Sequence, residues 1–289
     1  MKKKGTKKIG HEVLSLITDI TYTSVPAWYA GTMRDLKMDL IVPKVRDGHK
    51  KQPLFIWLCG GAFRVMDKSI WMPELLYFAR KGYSVASVEY RTSNEVCFPD
   101  PRTDVTAAIR YLKAHADAFC IDTERICVAG ESAGGSLASL AGMTGGCKEF
   151  EKGDYLEYDS RVQAVADFYG LVDLDIQVEG EPNDIIPPWT VIDYLGVNYT
   201  AEDVKRASAI SYVTKEAVSV ILLHGDCDAA VPLEQSERFY EKLQENGVES
   251  ELYLIEGAEH GDDAFYQEEV LSEIDSFLRK AWQDTSDGI

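Results

Sequence analysis

The sequence predicts an α/β fold: a mostly parallel sheet of about eight strands with helices on both faces. Three observations lead there. From Leu16 onward, apolar β-rich runs alternate with segments of helical periodicity, the pattern of repeated strand–helix–strand units. The central runs, such as residues 54–58 and 218–224, are almost unbroken in hydrophobicity, as strands covered on both faces must be. A chain of 289 residues is also long enough to bury one large core.

Taken in order, the strands are expected at 17–23 and 36–42, with a hairpin between them, then at 54–58, 84–90, 125–129, 162–169, 218–224 and 250–255. A helix is expected over 104–116, where Val105, Ala108, Ile109 and Leu112 form one stripe at the i, i+3, i+4, i+7 spacing of a helix packed on a sheet. Ser236, Phe239, Tyr240 and Leu243 line a second, which Asn246-Gly247 ends. Val270, Ile274, Phe277 and Leu278 mark a third at the C-terminus.

The alternation breaks between residues 172 and about 209, where no strand is evident and 179–188 reads as an irregular loop. Long connections inside compact domains are usually functional or disordered. The apolar and aromatic residues Trp189, Tyr194, Leu195 and Tyr199 favour an ordered cover. The expected organisation is therefore a basic N-terminal tail, 1–15, followed by a single domain, 16–289, with a cap or lid insertion at about 172–209.

The formal net charge of −18 argues against nucleic acid or an anionic membrane surface as partner, because both require neutralising Lys and Arg. No spanning apolar run is present, and the lysine-rich start lacks the apolar stretch of a secretory signal. The six cysteines form no Cys-x-x-Cys pair, so reduced thiols in the cytoplasm are expected. A homo-oligomer is left open.

Chemistry enters at Gly130-Glu-Ser-Ala-Gly134. Alone, Gly-x-Ser-x-Gly arises by chance on the order of 0.1 times in a chain this long. Here it follows the run Arg125-Ile-Cys-Val-Ala129 and precedes a helical segment, the strand–turn–helix context the motif requires. The turn lifts the Ser132 hydroxyl clear of the sheet, its glycines let backbone approach closely, and the helix beginning at Ala133 aims a free N–H at the reacting atom. After strand 54–58 comes Cys59-Gly-Gly-Ala-Phe63, whose small residues leave the N–H groups of Gly61 and Ala62 accessible as further oxyanion donors. A thiol at Cys59 is a rival nucleophile, but Cys is commonly buried.

A serine hydroxyl needs a base, and the base an orienting acid. Of five histidines, His11 and His49 lie in polar segments, His115 near a helix end and His224 at the close of a strand. His260 remains, in the glycine-flanked loop 256–261 between the last strand and the C-terminal helix. In Leu223-His-Gly-Asp-Cys-Asp228 both Asp226 and Asp228 could orient it; Asp228 is preferred, with Asp226 in reserve. Asp262-Asp263 could suggest a metal, but paired carboxylates suit a helix N-terminus. With neither His-Glu-x-x-His nor a phosphate-binding Gly-rich Lys-Ser/Thr loop, no metal and no cofactor are expected.

Together with Ser87-Val-Glu-Tyr-Arg91 and Ala209-Ile-Ser-Tyr-Val213, these segments resemble the α/β-hydrolase superfamily. Within it they resemble the esterase and lipase branch, the hormone-sensitive lipase-like and bacterial acetyl-xylan or feruloyl esterase-like carboxylesterases. The resemblance implies Ser132 as nucleophile, Asp228 as acid and His260 as base, with Gly61, Ala62 and Ala133 forming the oxyanion hole. Cys59 is a departure: it stands where many relatives have a His that orders the loop, which leaves the loop's hydrogen bonding open but does not touch the backbone donors.

The expected function is hydrolysis of a small-molecule carboxylic ester, with acetyl or feruloyl esters of carbohydrates included, through an acyl-enzyme on Ser132. The alternative is a prolyl-oligopeptidase-like peptidase or aminoacyl hydrolase, because fold does not dictate substrate. Phe63, Glu131, Trp189 and Tyr194 are the expected pocket residues.

Overall fold

The structure, a computed structural model, describes Gly5 and residues 13–27, 30–44, 50–179 and 189–283. Eight strands form one sheet: β1 (Leu14–Ala27), β2 (Thr32–Pro43), β3 (Gln52–Leu58), β4 (Ser84–Val88), β5 (Ile121–Glu131), β6 (Ala164–Phe168), β7 (Ser219–Gly225) and β8 (Ser250–Ile255). They lie in the order β1-β2-β4-β3-β5-β6-β7-β8. Only the contacts of β2 with β1 and β4 are antiparallel. The expected α/β architecture is thus observed, with every predicted strand present. The early pair is a hairpin, as expected, but longer and interrupted by register shifts near Asp19 and Thr21.

The period-two placement of side chains on β3 shows why both faces had to be apolar. Leu54, Ile56 and Leu58 enter one core with Val105, Ile109 and Leu137, while Phe55 and Trp57 enter the other with Phe78, Ile274 and Phe277. The first face is covered by α2 (Asp100–Ala114), α3 (Ala133–Met143) and α7 (Glu234–Glu245), the second by α1 (Met72–Arg80) and α8 (Glu268–Gln283). The stripe Val105, Ala108, Ile109 and Leu112 is wholly buried in α2. Helix α1 carries no predicted counterpart. It is short, opens on Pro73 near its N-terminus and buries only Leu75, Phe78 and Ala79, yet β3 and β4 are parallel and require such a crossover.

Between β6 and β7 the described residues contain no strand. They form α4 (Leu174–Glu179), α5 (Trp189–Leu195) and α6 (Ala201–Ala207), then a single 3-10 turn at Ala209–Tyr212. Thr200 caps α6 reciprocally with Asp203. Of the basic tail expected at 1–15, residues 1–4 and 6–12 lie outside the described residues, His11 among them, whereas Leu14 and Ser15 already belong to β1, where they pair with Pro43 and Val42. Most of the irregular loop expected at 179–188, and His49, also lie outside the described residues. No described helix is long and apolar enough to cross a membrane.

Candidate active site

Ser132 stands between β5 and α3 with φ 51° and ψ −121°, a left-handed backbone that costs a non-glycine residue about 1–3 kcal/mol. The surroundings hold it there. Its N–H donates to Phe168 O at 2.8 Å, and its carbonyl accepts from Ser136 N at 2.9 Å. A Cβ on Gly134 would lie 1.9 Å from Leu58 O, so only glycine lets β3 pass this close to the elbow. Ala133 is the first residue of α3, and its N–H therefore has no acceptor within the helix.

The two loops that follow β7 and β8 bring a carboxylate and an imidazole to this hydroxyl. His260 Nε2 is 3.0 Å from Ser132 Oγ, and His260 Nδ1 is 2.7 Å from Asp228 Oδ2. An ionised carboxylate only accepts, so Nδ1 carries the hydrogen and Nε2 is left to accept from the serine. The other oxygen of Asp228 accepts from the Ala230 and Val231 amides, each at 2.8 Å. Burial works against the Asp228 charge, but hydrogen bonds from His224 and His260 and the attraction of His260 outweigh it, holding the carboxyl well below the usual range. Asp226 points elsewhere: it is exposed and accepts from Gly257 N at 2.6 Å, tying the two loops together. Of the two aspartates left open by the sequence, the structure brings Asp228 to His260.

The other described histidines, His115 and His224, and the acid Asp262 fall into structural positions. His224 is fully buried, bonded through Nδ1 to Ser236 Oγ and through Nε2 to Val231 O. His115 bonds Tyr111 O. Asp262 caps the 3-10 turn at Asp263–Tyr266 by accepting from Ala264 N. Among the described residues no cluster of His, Cys, Asp and Glu is arranged to hold a metal.

The loop after β3 approaches Ser132 from the other side. Gly61, Ala62 and Phe63 have φ of 129°, 52° and 58°, three consecutive left-handed residues. A Cβ on Gly61 would fall 2.2 Å from Val65 O, so this turn closes only on glycine. The turn is fastened by Arg64 N and Val65 N, which both donate to Gly61 O, and by Tyr90 Oη, which donates to Cys59 O at 2.6 Å. Among the described residues the amides of Gly61 and Ala62 have no acceptor, and both residues are half-buried. The Cys59 thiol is buried, and that burial together with the nearby Glu131 charge pushes its pKa up to about 12. A thiol so disfavoured as thiolate is a poor nucleophile.

Glu131, expected beside the pocket, is half-buried and has both carboxylate oxygens engaged. Oε1 accepts from Gly60 N at 3.0 Å and Trp71 Nε1 at 2.7 Å, with Cys59 Sγ at 3.6 Å; Oε2 accepts from Tyr169 Oη at 3.2 Å. The register explains the placement, since Leu58 pairs with Gly130 across β3 and β5, setting the two loops side by side. Phe63 and Tyr194, expected to line the pocket, are packed away from it. They stack on each other at 4.1 Å and are buried to 1% and 2% exposure, so neither offers a free face to a ligand. The side chain of Trp189 lies outside the described residues.

Several contributors went unread in the sequence. Trp71 stacks on Tyr266 at 3.9 Å, and the Tyr169 ring meets His260 edge-on at 4.8 Å. Trp71 precedes an unpredicted helix, and Tyr266 lies in a turn with no periodicity. Tyr90 and Arg91 belonged to a recognised segment, and their work is now visible: Tyr90 bonds the Cys59 carbonyl, while Arg91 makes a buried pair with Asp104 at 2.7 Å.

A mostly parallel eight-stranded sheet with a serine at a strand-to-helix elbow, met by an imidazole and a carboxylate from the last two strand ends, defines an α/β hydrolase. The chain belongs to the BD-FAE family, whose profile matches residues 38–243. Esterase LipC of Mycobacterium tuberculosis is 31% identical over 217 residues, 74% of this chain and 54% of LipC. The probable carboxylic ester hydrolase LipM of the same organism is 28% identical over 236 residues, 77% of this chain and 54% of LipM. The chain thus spans about half the length of the curated relatives it matches. Among solved structures, a truncated form of a carbohydrate esterase from gut microbiota aligns with TM-score 0.76 and 27% identity, covering 93% of this chain and 96% of that one.

Proposed function

We propose that this protein is a carboxylic ester hydrolase acting through an acyl-enzyme on Ser132. The observation that carries the reading is the continuous hydrogen-bonded line Ser132 Oγ, His260, Asp228. In the proposed sequence His260 Nε2 takes the hydroxyl proton as Ser132 Oγ attacks the ester carbonyl. The N–H groups of Ala133, Gly61 and Ala62 face the developing oxyanion, each worth about 2.7–4 kcal/mol of transition-state stabilisation. His260 then returns the proton to the departing alcohol, and water activated by the same imidazole releases the acid. Asp228 stays ionised and steadies the imidazolium.

Small carboxylic esters are the proposed substrates, and acetyl or feruloyl esters of carbohydrates are the class to try first. The support is the esterase naming of the relatives and the carbohydrate esterase among the solved structures. The peptidase or aminoacyl hydrolase alternative is not favoured by these relatives. Segment 172–209 is proposed as a cover for the acyl or alcohol site, supported by the docking of α5 on the loop after β3.

The test compares wild type with Ser132→Ala and His260→Ala on 4-nitrophenyl acetate and acetylated oligosaccharides, alongside labelling by a fluorophosphonate probe. Turnover and labelling should vanish in both variants. Wild-type turnover by either one would sink the proposal.

A further inference from the structure

The residue just before Ser132 carries a task that the proposed reaction does not yet account for. The single Oε1 of Glu131 receives the Gly60 N–H and the Trp71 indole N–H, with the Cys59 thiol alongside, and its Oε2 receives the Tyr169 hydroxyl. Cys59 and Gly60 immediately precede the left-handed run Gly61, Ala62 and Phe63. Tyr169 lies edge-on to His260 at 4.8 Å and has its hydroxyl 3.5 Å from that of Tyr266, on which Trp71 stacks. One carboxylate is thereby joined to the loop bearing the candidate oxyanion donors, to the start of α1 and to the ring packed against the candidate base.

We infer that Glu131 is a positioning residue: its carboxylate sets the loop Cys59–Phe63 so that the Gly61 and Ala62 amides converge above Ser132, and through Tyr169 it braces the His260 ring. The inference rests on the ester hydrolase reading. A negative charge beside a developing oxyanion opposes its formation, so the carboxylate's contribution has to be geometric. It needs an acceptor at Oε1 and does not need the charge. That requirement separates two conservative substitutions. Glu131→Gln keeps an acceptor oxygen for Gly60 and Trp71 and turns its amide toward the Tyr169 oxygen, whereas Glu131→Asp keeps the charge but withdraws the acceptor by one methylene.

The experiment measures kcat and KM for 4-nitrophenyl acetate in wild type, E131Q, E131D and E131A, with hydrogen exchange of segment 59–63 followed by mass spectrometry in each. E131Q should stay within about threefold of wild-type kcat. E131D and E131A should lose roughly 10- to 100-fold in kcat, the scale of a misplaced donor loop, with KM changed less than about threefold and with faster exchange in 59–63. Should E131A fail to fold, the order of E131Q above E131D decides alone. Equal kcat in all variants, or E131D above E131Q, overturns the positioning role while Ser132→Ala, still inactive, leaves the hydrolase reading standing. Should wild type hydrolyse no ester, that reading falls, and unchanged exchange of 59–63 in E131D and E131A would remove the positioning role as well.

Discussion

His224 Nε2 stands 3.5 Å from Asp228 Oδ2, and both side chains are fully buried. The carboxylate that meets His260 is therefore also held from behind by a second imidazole. Because Val231 O can only accept, His224 Nε2 carries a hydrogen and shares it between that carbonyl and the aspartate.

His224→Asn should destabilise the protein at pH 7 by about 1–3 kcal/mol, the cost of leaving buried partners unsatisfied. The sign of its pH dependence follows from Asp228. A carboxyl held below its ordinary value stabilises the fold above the unfolded pKa of about 3.9 and loses that contribution as pH falls toward its folded value. Weakening the hold shrinks the contribution. Urea titrations should show the gap between wild type and variant widest near neutrality and narrowing below about pH 4.

Asp167 behaves in the opposite sense. It is buried beneath α3, and burial outweighs its bonds from Ser139 and Gly170 to raise its pKa to about 6. A raised carboxyl favours folding while protonated, so its contribution is complete below the unfolded value and is lost as pH rises through about 6. Asp167→Asn keeps an acceptor for the Gly170 amide and removes the titration. Scanning calorimetry from pH 4 to 8 should find wild-type Tm declining across pH 4–6 relative to the variant, by an amount equivalent to about 1–3 kcal/mol.

The left-handed Ser132 predicts a stability cost at the elbow itself. Ser132→Gly and Ser132→Ala should both be inactive, but glycine relieves the backbone conformation while alanine retains its Cβ. Thermal unfolding should place the glycine variant above the alanine one by about 1 kcal/mol. A glycine variant less stable than the alanine one would mean that the elbow is unstrained, because glycine alone adds unfolded-state entropy.

The anchorage of α5 can be divided into its apolar and ionic parts. Tyr194 is stacked on Phe63 and contacts Phe98 edge-on, while Asp193 pairs with Arg64 on a partly exposed surface. Tyr194→Ala should cost about 3–5 kcal/mol as an aromatic deletion from a buried site. Asp193→Asn should cost no more than about 1 kcal/mol. If α5 covers the substrate, Tyr194→Ala should also shift the acyl-chain preference in kcat/KM, an effect that Asp193→Asn lacks.

What could be read from the chain alone was local. The near-continuous apolar runs of β3, β5, β6 and β7, the stripe of α2 and the glycines flanking Ser132 are consequences of neighbouring residues and short-range sterics. They placed the strands, the elbow and the loops carrying Asp228 and His260. The chain order could not separate Asp226 from Asp228, because two residues in one turn differ only in which way the turn faces. Likewise Glu131 read as a pocket residue, although the pairing of Leu58 with Gly130 sets it against a loop about 70 residues earlier in the chain. Phe63 and Tyr194 also read as pocket residues, but packing turns their rings toward each other. Tertiary structure decided these matters because each rests on contacts between segments far apart in sequence, where a hydrogen-bond direction or a ring face is set by sheet register and close packing rather than by the residues beside it.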